Sequence, residues 1–290
     1  MCELPLVTYP RITVVTPSFN QVDFIEATIA SVLDQLYPNL EYIIVDGGSS
    51  DGSKQIIERF GHQLSWWCSE PDRGQAHAIR KGFDRATGEI LCWLNSDDVF
   101  LPGALKAVGE YFANHPSTEV VSCGAVTIDS EDRLVRSARC VYSLGVPASF
   151  ARLLYYGQAG IVQCATFWRK SAYDAVGGVD AEYRFIMDLD LFARLAKRRR
   201  FGVLRQIVAC YRVHPAAKGS NIQDVHASEL ALFQRKYAKS PVAGLRVSVL
   251  RNFYMTAFRA RRALLALRWN LAEAIGRPLF RELPPRQRHH

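Results

Sequence analysis

The first 125 residues alternate between short apolar runs and longer stretches in which apolar residues lie three and four positions apart. The short runs predict strands at residues 12–16, 41–46, 64–68, 89–94 and 119–123. The longer stretches predict helices at residues 22–35, 53–60, 75–86 and 102–114. The strands are almost entirely apolar, which is typical of a parallel sheet with helices on both faces. We therefore expect an α/β fold.

The pattern weakens after residue 125. It predicts a hairpin at residues 126–135, strands at residues 161–168 and 206–213, and a helix at residues 188–198. From Leu245 to Leu271, apolar residues recur at spacings of three, four and seven, which predicts a helical segment. We therefore expect one α/β domain over residues 1–240, followed by a C-terminal helical extension over residues 241–290.

Positive charge is concentrated in that extension. The chain of 290 residues has a formal net charge of +8, and residues 241–290 contain ten arginines and two acids, which accounts for all of it. The extension either packs on its own domain with the arginines in solvent, or binds an anionic membrane surface. Nucleic acid is not an expected partner, because the first 240 residues contain no recognisable nucleic-acid-binding module.

Composition narrows the class of protein further. A hydrophobic content of 49% and a charged content of 22% exclude a disordered, collagen-like or coiled-coil chain. The seven cysteines are scattered without a C-x-x-C pair, which argues against a disulfide framework or a zinc cage and favours a reducing compartment. No apolar run reaches the roughly 18 residues of a membrane span, and the N-terminus lacks a basic signal region. These features predict a cytoplasmic protein, whose extension would meet the inner face of the membrane.

Polar residues directly follow most of the predicted strands. Ligands of parallel α/β sheets bind beyond the carboxyl ends of the strands, which singles out Asn20, Asp46, Asp51, Asp72, Asp97 and Asp98. Asp46 suits either a hydrogen bond to a base or ribose, or a role in its own glycine-rich turn. No Walker-type motif occurs, and no G-x-G-x-x-G follows the first strand, which argues against a P-loop nucleotide hydrolase and a standard dinucleotide oxidoreductase.

Asp97 and Asp98 form the strongest single signal. Two adjacent carboxylates are electrostatically unfavourable unless a cation or a hydrogen-bond donor neutralises them. A divalent cation held by carboxylates together with substrate phosphates would do so. The same pair could instead cap the helix predicted from residue 102.

Several motifs occur in the order and at the spacings of a known family. The first four are Thr16-Pro17-Ser18-Phe19-Asn20, Val45-Asp46-Gly47-Gly48-Ser49-Ser50-Asp51-Gly52, Glu70-Pro71-Asp72-Arg73-Gly74-Gln75 and Leu94-Asn95-Ser96-Asp97-Asp98. The later ones are Gln163-Cys164-Ala165-Thr166-Phe167-Trp168-Arg169, Gly177-Gly178-Val179-Asp180, Met187-Asp188-Leu189-Asp190-Leu191 and Tyr211-Arg212-Val213-His214-Pro215. Together they resemble the family-2 glycosyltransferases of bacterial polysaccharide synthesis over about residues 11–220. The resemblance implies a GT-A-type fold, a Rossmann-like mixed and mostly parallel sheet with flanking helices, which the C-terminal helical extension would follow.

The resemblance also implies an activity. Such enzymes transfer a sugar, with inversion, from a nucleotide-diphosphate sugar to an acceptor hydroxyl, and they use a divalent metal such as Mn²⁺ or Mg²⁺. UDP-, GDP- and dTDP-sugars are the candidate donors. A saccharide or a lipid-linked acceptor in cell-surface or exopolysaccharide assembly is the expected acceptor. Two alternatives stay open: a nucleotidyltransferase, which also needs a nucleotide pocket and metal-binding acids, and a catalytically silent sugar-nucleotide-binding scaffold.

Residues for the donor nucleotide follow from the same resemblance. Pro17, Asn20 and Asp46 are expected to line the nucleoside pocket, with Asp72 beside the base or ribose. Asp97 is expected to contact the ribose.

Residues 96–98 stand where the family has its D-x-D element, with a serine at the first position. Because that departure removes one acid, Asp98 is expected to be the direct metal ligand. By resemblance His214 also approaches the metal or the diphosphate, although a lone histidine at a strand end often serves as a structural hydrogen-bonding group.

Met187-Asp188 looks like the family's Glu-Asp element, whose Asp is the catalytic base. Asp188 is therefore expected to take the acceptor proton on the face of the sugar opposite the leaving phosphate. Asp190, which does not share its helix face, is expected as a structural partner or a sugar contact, and Gln163 as a contact of the acceptor or donor sugar. The departures at Ser96 and Met187 are what favours the silent scaffold.

Overall fold

Strands and helices alternate through the structure, a computed structural model that describes residues 9–135, 161–198, 201–218 and 223–237. The strands are β1 (Ile12–Ser18), β2 (Leu40–Asp46), β3 (Trp66–Ser69), β4 (Ile90–Trp93), β5 (Val99–Phe100), β6 (Val120–Ile128), β7 (Thr166–Arg169) and β8 (Phe201–Arg212). The α-helices are α1 (Ile25–Leu33), α2 (Ser53–Phe60), α3 (Gln75–Arg85), α4 (Ala104–Asn114), α5 (Lys170–Ala175), α6 (Met187–Arg198) and α7 (Gln223–Tyr237).

The strands form one mixed sheet in the order β3-β2-β1-β4-β7-β6-β8-β5. β1 runs parallel to β2 and β4, β2 to β3, and β6 to β8. β7 is antiparallel to both of its neighbours, and β5 is antiparallel to β8. The carboxyl ends of β1, β2, β3, β4, β6 and β8 therefore lie at one edge of the sheet, together with the amino ends of β5 and β7. We call this edge the carboxyl edge.

Helices cover both faces of the sheet. Val15, Val45 and Trp93 pack in one buried cluster with residues of α3 and α6, and Val14 and Ile44 pack in another with residues of α1 and α4. Successive side chains of a strand point to opposite faces, so burial of both faces explains the continuous apolar runs. Because each buried aliphatic side chain contributes about 1.5–3 kcal/mol, the two clusters hold the strand ends in fixed positions.

The expected α/β fold with a mixed, mostly parallel sheet is confirmed. All strands and helices predicted before residue 125 are present, although the first helix begins at Ile25 rather than at residue 22. In the second half, the hairpin expected at 126–135 is short: β6 supplies its first strand up to Ile128, an isolated antiparallel bridge joins Ile128 to Leu134, and the N–H of Val135 donates to the Thr127 carbonyl at 2.9 Å.

Other elements of the second half also differ from expectation. β7 occupies only the end of the strand expected at 161–168, and β8 begins at Phe201 rather than at residue 206. β5, α5 and α7 were not predicted. The extension over residues 241–290 lies outside the described residues. Among the helices that the structure describes, none is both long and apolar enough to cross a membrane.

Candidate active site

Asp46, at the end of β2, is saturated by hydrogen bonds from its own surroundings. The residue is fully buried. Its Oδ2 accepts bonds from the N–H of Gly48 (3.2 Å), the N–H of Ser49 (2.9 Å) and the hydroxyl of Ser69 (2.7 Å). Its Oδ1 accepts a bond from the Ser49 hydroxyl. These contacts weigh against the expected nucleoside contact and favour a role in shaping the glycine-rich turn.

The loop after β1 is joined to the loop after β2. The N–H of Asn20, which has a φ of 51°, donates to Ser49 Oγ at 2.8 Å, and its side-chain Oδ1 accepts the N–H of Ser50 at 3.0 Å. Pro17 is a buried residue of β1, opposite Val45 of β2. Asn20 therefore fixes the wall of the expected nucleoside pocket, and Pro17 lies beneath that wall.

Asp72, Gly47 and Phe19 lie close together at the carboxyl edge. Asp72 is half-buried and uses Oδ1 to accept the N–H of Gly74 at 2.6 Å. A Cβ on Gly47 would lie 2.9 Å from Asp72 Oδ2 and 3.3 Å from a ring carbon of Phe19. Only glycine at this position keeps the carboxylate and the ring this close to the backbone. Phe19 is 60% exposed. Exposing this much of an aromatic ring to water is unfavourable unless another planar group stacks on it.

Asp98 is the inner member of the acidic pair. It is fully buried, its Oδ1 accepts the backbone N–H of Arg212 at 2.9 Å, and its Oδ2 accepts Asn95 Nδ2 at 3.2 Å. Burial, followed by the negative charge of Asp97, raises the pKa of the Asp98 carboxyl well above its usual range. With both oxygens engaged, Asp98 fits the expected role of direct metal ligand poorly. It instead joins the β4–β5 turn to the end of β8.

Asp97 is the outer member of the pair, with a side chain that is 18% exposed. Its Oδ2 lies 3.1 Å from Nε2 of His214, whose ring packs against Phe24 with the centroids 4.4 Å apart. The buried Arg212 donates from Nε to the main-chain oxygen of Asp97 at 2.7 Å. The carboxylate of Asp97 is a ligand type that suits Mg²⁺ or Mn²⁺, and the imidazole of His214 lies beside it as a second potential ligand.

That pair is too small to hold a metal alone. Within the described ranges, no group of three or more His, Cys, Asp or Glu side chains could hold a metal ion. Magnesium-type sites commonly take only one or two carboxylates from the protein and complete their shell with substrate phosphates and water. Asp97 and His214 therefore fit a metal that arrives with a diphosphate.

A chain of side-chain hydrogen bonds crosses the middle of the carboxyl edge. Lys218 Nζ donates to Gln75 Oε1 (2.9 Å), and Gln75 Nε2 donates to Asn95 Oδ1 (2.8 Å). Asn95 Nδ2 also donates to Gln163 Oε1 (3.2 Å), and Gln163 Nε2 donates to the Trp93 carbonyl (2.6 Å). Gln163 therefore lies at the site, as expected, but both ends of its amide are engaged within the protein.

Asp188 lies in the first turn of α6 and is partly buried. Its Oδ1 accepts the N–H of Leu189 at 2.7 Å. Burial raises the pKa of its carboxyl above the ordinary value, and the hydrogen bond from the Leu189 N–H, followed by the positive charge of Lys218, offsets part of that effect. Desolvation in turn lowers the pKa of the Lys218 ammonium to about 8. A carboxylate with a raised pKa close to a cation is a suitable proton acceptor.

Asp190 points away from the site. It is fully buried, its Oδ2 forms an ion pair with Arg194 Nη2 at 2.7 Å, and its Oδ1 accepts the hydroxyl of Tyr237 at 3.2 Å. This geometry agrees with the expected structural role and not with the expected sugar contact. Asp188 and Asp190 thus have different environments on one helix.

Three residues that the structure brings to the site have no role in the predictions from the sequence. Phe19 and Gln75 lie within the recognised motifs. Phe19 could have been singled out from the sequence, because an aromatic residue in a polar loop at a strand end is unusual. Lys218 lies four residues after His214, and nothing in the local pattern distinguishes it from a solvated lysine.

Comparison with known proteins points to one family. The profile of glycosyl transferase family 2 matches residues 13–177. The uncharacterized glycosyltransferase Rv1514c of Mycobacterium tuberculosis is 30% identical over 190 residues, which cover 64% of this chain and 69% of that protein. The putative teichuronic acid biosynthesis glycosyltransferase TuaG of Bacillus subtilis is 41% identical over 105 residues, which cover 35% of this chain and 42% of TuaG.

Solved structures share the fold. TarS of S. aureus in complex with UDP-GlcNAc superposes with a TM-score of 0.60 at 17% identity, covering 77% of this chain and 66% of TarS. The mannosyltransferase PcManGT of Pyrobaculum calidifontis in complex with GDP-Man and Mn²⁺ also gives 0.60, at 20% identity, covering 92% of this chain and 76% of PcManGT. The chain thus spans less than two thirds of TarS and of TuaG. At these identities the structures show the fold alone, which is the expected GT-A type.

Proposed function

The chain belongs to glycosyl transferase family 2, and on that basis we propose that it transfers a sugar from a nucleotide-diphosphate donor to an acceptor hydroxyl with inversion. The observation that carries the proposal is the presence, at the carboxyl edge, of both the Asp97–His214 pair and the partly buried carboxylate of Asp188 beside Lys218. The first suits a diphosphate with its metal, and the second suits an acceptor proton. The acceptor is a saccharide or a lipid-linked saccharide of a bacterial surface polysaccharide.

The donor nucleoside occupies the space between Phe19, Gly47 and Asp72. The exposed ring of Phe19 stacks on the base, and the free Oδ2 of Asp72 accepts a hydrogen bond from the base or the ribose. Asn20 and Asp46 support this pocket through the loop contacts described above. The complexes of TarS with UDP and UDP-GlcNAc and of PcManGT with GDP-Man support a nucleotide-sugar donor for this chain.

Asp97 and His214 are the residues that hold the divalent metal, rather than Asp98. When bound, such a metal neutralises the charge that develops on the departing diphosphate. Asp98 keeps the turn rigid through Arg212 and Asn95. The Mn²⁺ of the PcManGT complex supports a metal of this kind.

Asp188 is the general base. It takes the proton of the acceptor hydroxyl while the oxygen attacks the anomeric carbon from the side opposite the leaving diphosphate. The carboxylate must be ionised to do so, and the nearby Lys218 and His226 favour its ionised form. Partial burial keeps water from competing for the same oxygen.

Thermal-shift measurements with UDP-GlcNAc, GDP-mannose and dTDP-glucose, each with and without Mn²⁺, test the proposal. A ligand that binds only the folded protein raises Tm in proportion to RT ln(1 + [L]/Kd). The product is then analysed: a nucleoside diphosphate supports sugar transfer, whereas pyrophosphate indicates nucleotidyl transfer. No shift with any donor and no release of product would mean that the chain is a silent scaffold or uses a donor of another kind.

We expect Phe19→Ala to weaken donor binding. Stacking of a base on an aromatic ring contributes about 1–3 kcal/mol, so Kd should rise by about 5- to 150-fold. Calorimetric titration with the donor identified above measures the change. Leu36→Ala is the matched control, because Leu36 is 87% exposed and precedes β2 at the opposite edge of the sheet. Equal affinities for the two variants would refute the stacking role.

The basic segment from residue 241 attaches the enzyme to an anionic membrane surface, where a lipid-linked acceptor would lie. Each basic residue near such a surface contributes about 1 kcal/mol. Deleting residues 241–290 should therefore abolish sedimentation with phosphatidylglycerol vesicles and leave donor binding unchanged. Attachment should weaken with salt, because the Debye length is only about 8 Å at physiological ionic strength. A truncated protein that melts or precipitates would show instead that the segment packs on the domain.

A further inference from the structure

Helix α7 supplies a carboxylate to the segment that leads into α6. Glu229, on α7, is buried, with 9% of its surface exposed. Its Oε1 accepts the N–H of Arg184 at 2.6 Å, and its Oε2 accepts the N–H groups of Phe185 (2.9 Å) and Ile186 (3.1 Å). These three residues directly precede Met187, the first residue of α6. One side chain therefore accepts the main-chain N–H of each of the three residues before that helix.

The arrangement meets a physical need. N–H groups at the start of a helix have no partner within the helix, and negative charge is favourable there because of the helix dipole. Most helices meet this need with a local Ser, Thr, Asp or Asn. Here Ile186 occupies the cap position, since its carbonyl accepts the N–H of Asp190 at 2.9 Å. An isoleucine cannot supply a cap oxygen, and the N–H of Leu189 in the first turn is accepted by Asp188 itself. Glu229 adds negative charge at this helix end and accepts the N–H of the cap residue Ile186 and of the two residues before it.

Further contacts bind α7 to the same helix. The hydroxyl of Tyr237 donates to Asp190 Oδ1 at 3.2 Å, and the ring of His226 contacts that of Phe185 with the centroids 5.0 Å apart. Phe233 is completely buried in the cluster that also contains residues of α6. α7 therefore holds α6 at its start and along its first turns.

We propose that Glu229 is a positioning residue, which fixes the carboxylate of Asp188 by holding the main chain of residues 184–186. The inference rests on the proposed role of Asp188 as the base. Asp188 is two residues beyond Ile186, so its position depends on where α6 begins. A displacement of about 1 Å at a catalytic group costs up to about 10²-fold in rate. The proposal extends the catalytic apparatus to a helix that lies beyond the residues matched by the family profile.

The test uses Glu229→Gln and Glu229→Ala in the full chain, with Glu182→Gln as the control. Glu182 is an exposed glutamate on the same approach to α6, and the control removes the same charge without touching the amides of 184–186. The first measurement is hydrogen exchange of a peptide that covers residues 183–189. A buried N–H that loses its acceptor is destabilised by about 1–3 kcal/mol, so exchange should become about tenfold faster or more in both Glu229 variants and not in the control.

The second measurement separates chemistry from binding. With Mn²⁺ and saturating UDP-GlcNAc or GDP-mannose, whichever binds in the screen, release of nucleoside diphosphate should fall by on the order of 10²-fold for Glu229→Ala and by less for Glu229→Gln. The Kd of the donor should stay within about twofold, because no donor contact is altered. If Glu229→Ala does not fold, the isosteric Gln variant carries the test.

Failure of the role proposed for Glu229 can be distinguished from failure of the base assignment of Asp188. Faster exchange with an unchanged rate would make Glu229 a purely structural residue, and unchanged exchange would refute the hold on residues 184–186. An inactive Asp188→Asn beside a fully active Glu229→Ala refutes this proposal alone. An active Asp188→Asn refutes the base assignment and this proposal with it.

Discussion

Asp188→Asn should bind the donor as tightly as the unsubstituted protein and transfer sugar about 10²–10⁴-fold more slowly. The magnitude is that of a positioned general base. Asparagine has nearly the same shape and can still accept the N–H of Leu189, so the start of α6 should not change. Single-turnover measurement of nucleoside diphosphate release, with donor Kd measured separately, checks both halves of the expectation.

The matched control is Asp84→Asn, which removes a carboxylate from the exposed side of α3. The pH dependence gives a second check. Burial raises the pKa of Asp188, and only the ionised carboxylate accepts a proton. The rate of sugar transfer should therefore be maximal above the raised pKa and fall as the pH drops through it. The midpoint of that acidic limb should lie above the ordinary Asp value of about 3.9. Near-normal turnover of Asp188→Asn would remove Asp188 from the reaction.

Asp97→Ala and Asp98→Ala should fail in different ways. Asp97→Ala should lose the part of donor affinity that depends on Mn²⁺, because it removes one of the two proposed protein ligands. Contacts to charged groups are worth roughly 1.5–3 kcal/mol, so Kd in Mn²⁺ should rise by about 10- to 150-fold. Its Tm without ligand should fall less than that of Asp98→Ala, since the Asp97 side chain is partly exposed whereas Asp98 is fully buried.

Asp98→Ala should instead lower the stability of the fold. It leaves the buried N–H of Arg212 without its acceptor, which costs about 1–3 kcal/mol. Donor titrations with and without Mn²⁺, together with thermal melts, separate the two variants. An Asp97→Ala variant that keeps its response to Mn²⁺, beside a stable Asp98→Ala variant that loses it, would restore the assignment expected from the D-x-D pattern.

The edge of the sheet that carries the site could be predicted from the sequence. The apolar runs fixed the order of strands and helices before residue 125, and the rule for strand ends then placed Asn20, Asp46, Asp72, Asp97 and Asp98 at one edge. The family motifs added Asp188 and His214. All of these residues lie at the carboxyl edge because the strands that precede them run parallel, an arrangement common to many α/β sequences.

The direction of each carboxylate could not be predicted. Asp46 accepts hydrogen bonds from its own turn and from Ser69, and Asp98 accepts one from the distant Arg212, whereas the side chains of Asp72 and Asp97 stay partly exposed. Which of two neighbouring acids is inside depends on tertiary partners such as Arg212, 114 residues away from Asp98. No local pattern contains that information.

The missed elements have physical causes as well. β8 was expected to begin late because Arg205 and Gln206 are exposed in its middle and interrupt the apolar run. β5 has only two residues, too few to show a period. In α7, Leu232 is 58% exposed while Glu229 is buried, so the usual pattern of apolar inside and polar outside is reversed at two positions.

The antiparallel contact of β5 with β8 has a consequence for synthesis of the chain on the ribosome. Val99 pairs with Cys210, so β5, which directly follows the turn that carries Asp97 and Asp98, has no strand to pair with until more than a hundred further residues have been made. β1 to β4 can pair with one another as they emerge, but contacts between distant segments form slowly. The nascent protein therefore exposes an unpaired strand edge and an unfinished site during the interval between the synthesis of Phe100 and that of Ala209. That interval is when a chaperone would be needed most.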